Sequence, residues 1–282
     1  MKIYKLSNKF EDGGTVILPT NEKSFFDLDV NKLRKIFYEK GVIVFKKFNI
    51  KRTQIIKITD IFTEQYANDA KRRKNRYKNK RLNDVDSGRY EMPLHSEASY
   101  SPAWPEIVWF YCNKAPKKSG QTTLCDGVAI HKNFSLKLKN FFLKNQIVYK
   151  SKISFKNINK NKKKNLKKIK LKPWYIEYPG IENSSINLSD GYIQFSLKRY
   201  ASVKIRKSNK VAFVNHLQII LDRDPQLLSI SLENGKKIPQ NILNEVKKIS
   251  DDLTINLNWE DGDLCMINNQ RFMHGRRSID QE

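Results

Sequence analysis

Cysteine is scarce in this sequence, whose 282 residues include only Cys112, Cys125 and Cys265. Because the number is odd and no C-x-x-C pair occurs, the sequence predicts neither a disulfide framework nor a zinc site. Unpaired thiols are typical of a reducing compartment, so we expect a cytoplasmic protein.

Long apolar runs are absent as well. No stretch approaches the roughly 18 consecutive apolar residues of a membrane span, and the first residues do not form the apolar segment of a signal peptide. There is no P-loop, no G-x-G-x-x-G fingerprint and no G-x-S-x-G elbow, which argues against the common nucleotide-binding and serine-hydrolase sites. A hydrophobic content of 39% with 11% aromatic residues nevertheless predicts a folded protein with a sizeable core.

Acidic residues are too few to balance the basic ones. The 54 Lys and Arg outnumber the 29 Asp and Glu, which gives a net charge of +25, and 8 of the 11 residues in 71–81 and 8 of the 13 in 160–172 are basic. Such an excess is typical of nucleic-acid-binding proteins. It is equally typical of a genome rich in Lys, Asn and Ile codons, and all three residues are abundant here. We favour the compositional explanation and expect no specific nucleic-acid binding; a basic nucleic-acid-binding protein is the alternative.

The pattern of apolar residues predicts a mainly β fold with helices packed outside it. Short apolar runs at 42–45, 107–112 and 264–267 are typical of buried strands. Helices are predicted where a capping residue precedes apolar positions at helical spacing. Their predicted ranges are 29–40 with caps at Asp29 and Gly41, a helix after a cap at Thr53, 126–145 after a cap at Asp126, 211–221, and a helix that begins at Pro239.

Two short motifs contain three candidate metal ligands. His95 and Glu97 stand two residues apart in the segment Pro-Leu-His-Ser-Glu, and His274 lies in a second segment near the C-terminus. Histidine and glutamate at this spacing can reach one ion from a turn. Two imidazoles and one carboxylate on one face of an octahedral ion leave three positions open, which is the ligand set of non-heme Fe(II) oxygenases. We expect His216 to be a buried or hydrogen-bonded histidine rather than a ligand.

The order of these motifs resembles the taurine dioxygenase (TauD/TfdA-like) family of Fe(II)/2-oxoglutarate-dependent oxygenases, in its His-X-Glu branch. The resemblance covers residues 88–130 and 255–279, including the segment Trp-Glu-Asp-Gly-Asp at 259–263. It implies a double-stranded β-helix, which is a distorted jelly roll. It also implies that His95, Glu97 and His274 bind Fe(II) and serve catalysis. The co-substrates would be 2-oxoglutarate and O2, and the reaction would be hydroxylation of a small molecule such as an amino acid derivative.

The resemblance further assigns two residues to 2-oxoglutarate. Thr122 matches a family threonine that follows a glycine-rich turn, although a plain turn threonine is an equal alternative, and Arg276 matches the family's His-Gly-Arg. Family members carry a further arginine, roughly 10 to 14 residues after the distal histidine, that pairs with the far carboxylate. Only eight residues follow His274 here. We therefore expect a single domain over 1–282 that lacks its C-terminal strand, with a Lys-rich insertion at 148–178; a truncated or degenerate member without turnover is the alternative.

Overall fold

The computed structural model of this chain describes residues 1–63, 65–66, 81–85, 88–101, 104–116, 118–154, 184–189, 192–206, 208–221 and 228–280. The basic stretch 160–172 lies outside these residues, and so does the stretch 71–81 except for Arg81. Most of the predicted insertion at 148–178 also lies outside them, and that insertion stays a prediction.

The described residues form fifteen β-strands, six α-helices and three short 3-10 helices. None of the described helices combines the length and apolar character that a membrane crossing requires. The strands are β1 (Lys2–Lys5), β2 (Thr15–Leu18), β3 (Val42–Phe45), β4 (Met92–His95), β5 (Ile107–Tyr111), β6 (Thr122–Asp126), β7 (Ile147–Ser154), β8 (Ser184–Ser189), β9 (Tyr192–Arg199), β10 (Ser202–Lys204), β11 (Val211–Phe213), β12 (Leu228–Leu232), β13 (Ile255–Asn256), β14 (Leu264–Asn268) and β15 (Phe272–Arg276). The α-helices are α1 (Val30–Lys40), α2 (Ile55–Asp60), α3 (Gly127–Asn133), α4 (Leu136–Lys144), α5 (Leu217–Leu221) and α6 (Gln240–Leu253), and the 3-10 helices are Asn8–Phe10, Phe25–Asp27 and Arg52–Gln54.

Two sheets face each other at the centre of the fold. The larger has the strand order β1-β2-β3-β14-β5, with β2 and β3 parallel and the other neighbours antiparallel. The smaller is antiparallel and has the order β13-β6-β15-β4. Their facing surfaces share one apolar layer that contains Val42, Val44, Leu124, Cys265, Ile267 and Phe272. This arrangement confirms the predicted distorted jelly roll.

Helices cover the outer face of each sheet. Because side chains alternate along a strand, Leu264 and Met266 point away from the shared layer, and they pack in a cluster with residues of α1 and α2. Cys125 and Met273 do the same on the smaller sheet, where they pack with residues of α3, α4 and α6. The central strands are therefore apolar on both faces, which explains why they appear in the sequence as continuous apolar runs.

A third sheet has the order β12-β7-β9-β8, and β10 and β11 form a separate antiparallel pair. Residues 148–154, the start of the predicted insertion, belong to β7 and pair with β9 and β12.

The caps of the first helix are the predicted ones, whereas those of the second are not. Asp29 accepts hydrogen bonds from two N–H groups at the start of α1, and Gly41 ends it in the left-handed conformation at φ +77°. Thr53, in contrast, does not cap the second helix. It lies inside the 3-10 helix Arg52–Gln54, and the Lys51 N–H donates to the Gln54 side chain. The prediction at Thr53 was wrong because the helical segment begins with a 3-10 turn at Arg52, one residue before Thr53.

The predicted helix at 126–145 is two helices. Asp126 caps α3 by accepting from the N–H two residues on, as expected, but α3 ends at Asn133. Phe134 is extended, at ψ +136°, and the Ser135 hydroxyl then accepts a backbone N–H at the start of α4. A second serine cap inside an otherwise helical pattern therefore divides the segment.

The segment 211–221, predicted as one helix, is a strand followed by a short helix. Residues Val211–Phe213 form β11 and pair with β10. Only Leu217–Leu221 are helical, and the Asn215 side chain accepts the Leu217 N–H just before α5. The cross-strand partner, which local sequence does not show, decided the conformation of the first half.

A buried arginine joins distant parts of the chain just before β15. The Arg271 guanidinium is 1% exposed; it donates to the Asp126 carboxylate at 2.7 Å, the Asp12 carboxylate at 3.0 Å and the Glu39 carbonyl at 2.8 Å. The charge is thus paired and hydrogen-bonded inside the protein. It holds the turn that leads into β15 against the end of β6 and the end of α1.

Candidate metal centre

Strand pairing brings the two predicted histidine ligands together. His95 is the last residue of β4 and stands directly opposite His274 on β15. On the other side of β15, His274 pairs with Leu124 of β6. Because Leu124 and Phe272 point into the layer between the sheets, His274 points there too. The two imidazole centroids lie 4.4 Å apart.

Glu97 completes the group from the turn that follows β4. Its Oε2 atom lies 3.6 Å from Nε2 of His95 and 3.6 Å from Nε2 of His274. One ligand atom from each of the three residues lies within 4.8 Å of the others. Ala98, the next residue, has φ +53°, a left-handed conformation that side chains other than glycine rarely adopt. Such strained residues often accompany functional sites.

Hydrogen bonding orients His95 for metal ligation. Its Nδ1 atom lies 2.9 Å from the Pro93 carbonyl oxygen. A carbonyl only accepts, so Nδ1 carries a proton and Nε2 is the ring nitrogen that faces Glu97. Metal-binding histidines are typically held in this way by a bond at the second ring nitrogen. Phe110, on the opposite sheet, packs its ring edge-on against His274 at 5.0 Å.

The electrostatics of the site favour an ionised glutamate. Burial alone would raise the pKa of the Glu97 carboxyl, but His274 and His95 outweigh it and hold that pKa well below its usual range. The carboxylate side chain is 26% exposed and so keeps access to the exterior. A carboxylate and two imidazoles form a suitable donor set for a divalent ion.

The spacing of these donors fits one octahedral ion. Metal–ligand bonds of about 2.1 Å at right angles place two ligand atoms about 3 Å apart, and opposite ligands about 4.2 Å apart. The two observed separations of 3.6 Å lie between these limits. The three residues therefore lie close enough together to reach one ion.

Comparisons with known proteins agree with this geometry. The family model "Taurine catabolism dioxygenase TauD, TfdA family" matches residues 2–282. The chain belongs to this family. A search of curated proteins found no match.

Several solved structures share the fold of this chain at low sequence identity. PvcB from Pseudomonas aeruginosa is 11% identical with a TM-score of 0.59, and the match covers 96% of this chain and 82% of that one. AAD-2 in complex with Mn(II) and N-oxalylglycine is 13% identical with a TM-score of 0.60, and the match covers 99% and 91%. A second PvcB structure, described as an Fe, alpha-ketoglutarate dependent oxygenase, has a TM-score of 0.56 at 11% identity.

Family membership confirms the predicted activity class. As a member of this family, the chain is a non-heme Fe(II)- and 2-oxoglutarate-dependent dioxygenase, and its cofactors are iron and 2-oxoglutarate. The His-Glu-His group matches that chemistry. The family's substrates are small molecules.

The two residues predicted to contact 2-oxoglutarate lie beside this group. Thr122 on β6 stands directly opposite Arg276 on β15. This pair is two residues away, along each strand, from the Leu124–His274 pair. Since side chains alternate, both project from the same face as His274. The Thr122 hydroxyl accepts a hydrogen bond from Trp259 Nε1 at 3.0 Å. Arg276 donates to the carbonyl oxygens of Gly88 and Tyr90.

Two neighbours of the metal group had no functional prediction from the sequence. His216 is buried and hydrogen-bonded to the Ser96 carbonyl at 3.2 Å, yet its ring also packs edge-on against His95 at 5.1 Å. It is not part of the three-residue group. Asn269 makes several hydrogen bonds to the turn that carries Glu97. The resemblance extends over the turn that contains Asn269 but indicates no contact for this residue, and the sequence offered no functional signal for His216.

Proposed function

We propose that His95 and His274, through Nε2, and Glu97, through Oε2, bind the Fe(II) of this dioxygenase. One observation supports this most directly: a single carboxylate oxygen lies 3.6 Å from both Nε2 atoms. Iron held there would supply the chemistry that couples oxidative decarboxylation of 2-oxoglutarate by O2 to hydroxylation of a substrate carbon. The protein's part would be to hold three ligands on one side, with Phe110 packed against the His274 ring.

We also propose that Thr122 and Arg276 bind 2-oxoglutarate. The two residues stand opposite each other, and Arg276 lies two residues after His274 on the same face of β15, which supports this proposal. Because Trp259 uses the acceptor side of the Thr122 hydroxyl, the hydroxyl proton can be donated to a carboxylate. A guanidinium presents five N–H groups, so Arg276 can bond to the Gly88 and Tyr90 carbonyls and still reach an anion.

We further propose that the substrate is a small molecule of the amino acid derivative class, that the chain is one oxygenase domain, and that it works in the cytoplasm without specific nucleic-acid binding. The family match over 2–282 supports a single domain. Three buried cysteines with free thiols support a reducing compartment.

Anaerobic titration with Fe(II) and then 2-oxoglutarate tests the site. The weak visible charge-transfer band of the iron-bound 2-oxoglutarate chelate should appear in the unmodified protein. It should disappear in Glu97→Ala and persist in Glu233→Ala, a control that removes an exposed glutamate paired with Lys198. A band of unchanged intensity in Glu97→Ala would refute the ligand assignment. A normal band without succinate formation under O2 would favour the alternative of a member without turnover.

A further inference from the structure

We propose that Asn269 is a positioning residue that sets the place of the Glu97 carboxylate in the metal site before metal binds. The inference rests on the proposed ligand role of Glu97. Asn269 lies in the turn between β14 and β15 and is 0% exposed. It touches no ligand atom, and its contacts with the Glu97 turn are all hydrogen bonds to main-chain or serine groups.

The Asn269 side-chain amide bonds to both main-chain groups of Glu97. Its Oδ1 accepts the Glu97 N–H at 2.8 Å, and its Nδ2 donates to the Glu97 carbonyl at 2.9 Å. Its Nδ2 also donates to the Pro105 carbonyl at 2.9 Å, and the Ser96 hydroxyl oxygen lies 3.1 Å from Oδ1. Only one orientation of the amide suits the Glu97 N–H and the two carbonyls, so the side chain is held in a single pose.

The backbone of Asn269 adds to this attachment. The Ser96 hydroxyl donates to the Asn269 carbonyl at 2.6 Å and in turn accepts the Trp104 indole N–H at 2.7 Å. The Asn269 N–H donates to the Glu106 carbonyl at 2.9 Å. The residue thus joins the turn after β4 and the segment just before β5 to one point of the connection between β14 and β15.

The position of Glu97 in the chain explains why such an attachment matters. The pairing of β4 with β15 reaches His95 and goes no further, so Glu97 lies beyond the ladder. The Asn269 amide supplies the donor and the acceptor that a neighbouring strand would have supplied. Because Asn269 lies only five residues before His274, in the connection that leads into β15, this amide places Glu97 relative to His274, and the β4–β15 pair places His95 relative to His274.

This arrangement predicts that the site is organised in the metal-free protein. Residues that orient metal ligands typically contribute about 10- to 100-fold to metal affinity. Without the amide, the Glu97 turn would keep its sequence and its carboxylate but would lose two main-chain bonds. The expected result is weaker metal binding with the three ligands still present.

The adjacent residue provides a matched control. Asn268, the last residue of β14, is also buried, but in the described part of the chain its side-chain oxygen accepts the Gln270 N–H at 3.0 Å, inside the β14–β15 connection. Replacement of either asparagine by alanine removes the same atoms from neighbouring positions. A general disturbance of this connection should therefore affect both variants, whereas loss of the Glu97 attachment should affect one.

The first test measures Mn(II) affinity of the metal-free protein by electron paramagnetic resonance. Asn269→Ala should weaken Mn(II) binding about 10- to 100-fold, and Asn268→Ala should leave it within about twofold, both measured under conditions in which each metal-free variant is folded. Equal affinities in the two variants, or an unchanged affinity in Asn269→Ala, would overturn the proposal. If Asn269→Ala does not fold, Asn269→Ser, which keeps a small polar group too short to span both Glu97 groups, takes its place with the same expectations.

The second test needs no metal. Hydrogen exchange of the Glu97 amide, followed by NMR in the metal-free protein, should accelerate at least about tenfold in Asn269→Ala and stay unchanged in Asn268→Ala, as expected when one protecting hydrogen bond is lost. An unchanged Glu97 amide would refute the positioning role. Failure of the unmodified protein to bind Mn(II) or Fe(II) would count against the proposed ligand set instead, and the exchange measurement would still decide the role of Asn269.

Discussion

Trp259 and Thr122 share one hydrogen bond at the edge of the proposed 2-oxoglutarate site. The indole N–H can only donate, so the Thr122 oxygen is the acceptor at 3.0 Å. The hydroxyl hydrogen is thereby directed away from Trp259. Since β6 presents Thr122 on the same face as the metal group, the tryptophan restricts the direction in which this hydroxyl can donate.

The variant Trp259→Phe should therefore weaken 2-oxoglutarate binding about two- to tenfold, the range expected for loss of one hydrogen bond worth about 0.5–1.5 kcal/mol. Its Fe(II) affinity should not change, because Trp259 is not among the proposed ligands. The charge-transfer titration measures both affinities.

Trp109→Phe is the matched control for that measurement. The Trp109 indole nitrogen is buried and has no hydrogen-bond partner among the described residues, and its ring packs against Phe62 on the outer side of the larger sheet. The same substitution there should leave 2-oxoglutarate affinity unchanged. Equal effects of the two substitutions would contradict a specific role for Trp259.

Residue chemistry explains which parts of the site were predictable. The convergence of His95, Glu97 and His274 could be predicted because few residue types bind iron and their order matched a known family. The supporting residues could not. Asn269 contacts Glu97 across 172 positions, and Arg271 contacts Asp126 across 145, and a single sequence contains no trace of such pairs. Asparagine and arginine also occur in many roles, so their type alone predicts none of them.

At the scale of elements, local signals were reliable where they were not opposed by tertiary contacts. The caps of α1 at Asp29 and Gly41 depend on nearest neighbours, and both were predicted correctly. The stretch 211–213 had apolar residues compatible with a helix, but pairing with β10 made it a strand. Nothing in the stretch itself identifies that partner, so periodicity alone could not distinguish the two outcomes.

Two glycines with the same backbone conformation allow the packing at the end of α1 to be measured. Gly41 has φ +77° and Gly235 has φ +79°. A Cβ atom at Gly41 would lie 2.6 Å from Arg271 Cδ and 2.8 Å from a Phe272 ring carbon, whereas a Cβ at Gly235 would meet nothing within 4 Å. Backbone strain is thus common to both sites, and crowding occurs at one.

We expect Gly41→Ala to destabilise the protein more than Gly235→Ala, by about 1–3 kcal/mol, the usual range for overpacking. Urea unfolding of the two variants measures the difference in unfolding free energy. Because Arg271 and Phe272 begin the strand that carries His274, Gly41→Ala should also weaken Mn(II) binding. Equal unfolding free energies for the two variants would show that Arg271 and Phe272 can move away from an added Cβ atom without a measurable loss of stability.

At the scale of the whole molecule, the same architecture persists although few residues are shared. The neighbours are 11–13% identical and still superpose with TM-scores near 0.6. Many apolar sequences can fill the layer between two sheets, provided that side chains alternate correctly. The fold could therefore be predicted from strand pattern and motif order, whereas the region around 148–178 could not, because it matched no known motif.

The net charge of +25 is the remaining property of the whole molecule that calls for a test. Charge alone attracts the phosphate backbone, so we expect binding to duplex DNA or RNA with Kd of about 10⁻⁴–10⁻⁶ M at physiological salt and no sequence preference. The logarithm of the affinity should fall linearly with the logarithm of the salt concentration, because each neutralised phosphate releases a counterion. Fluorescence anisotropy with two unrelated 30-base-pair duplexes, measured from low to physiological salt, provides these values. A submicromolar Kd at physiological salt that differs between the two duplexes would contradict the compositional explanation, and would make nucleic acid a partner of this dioxygenase.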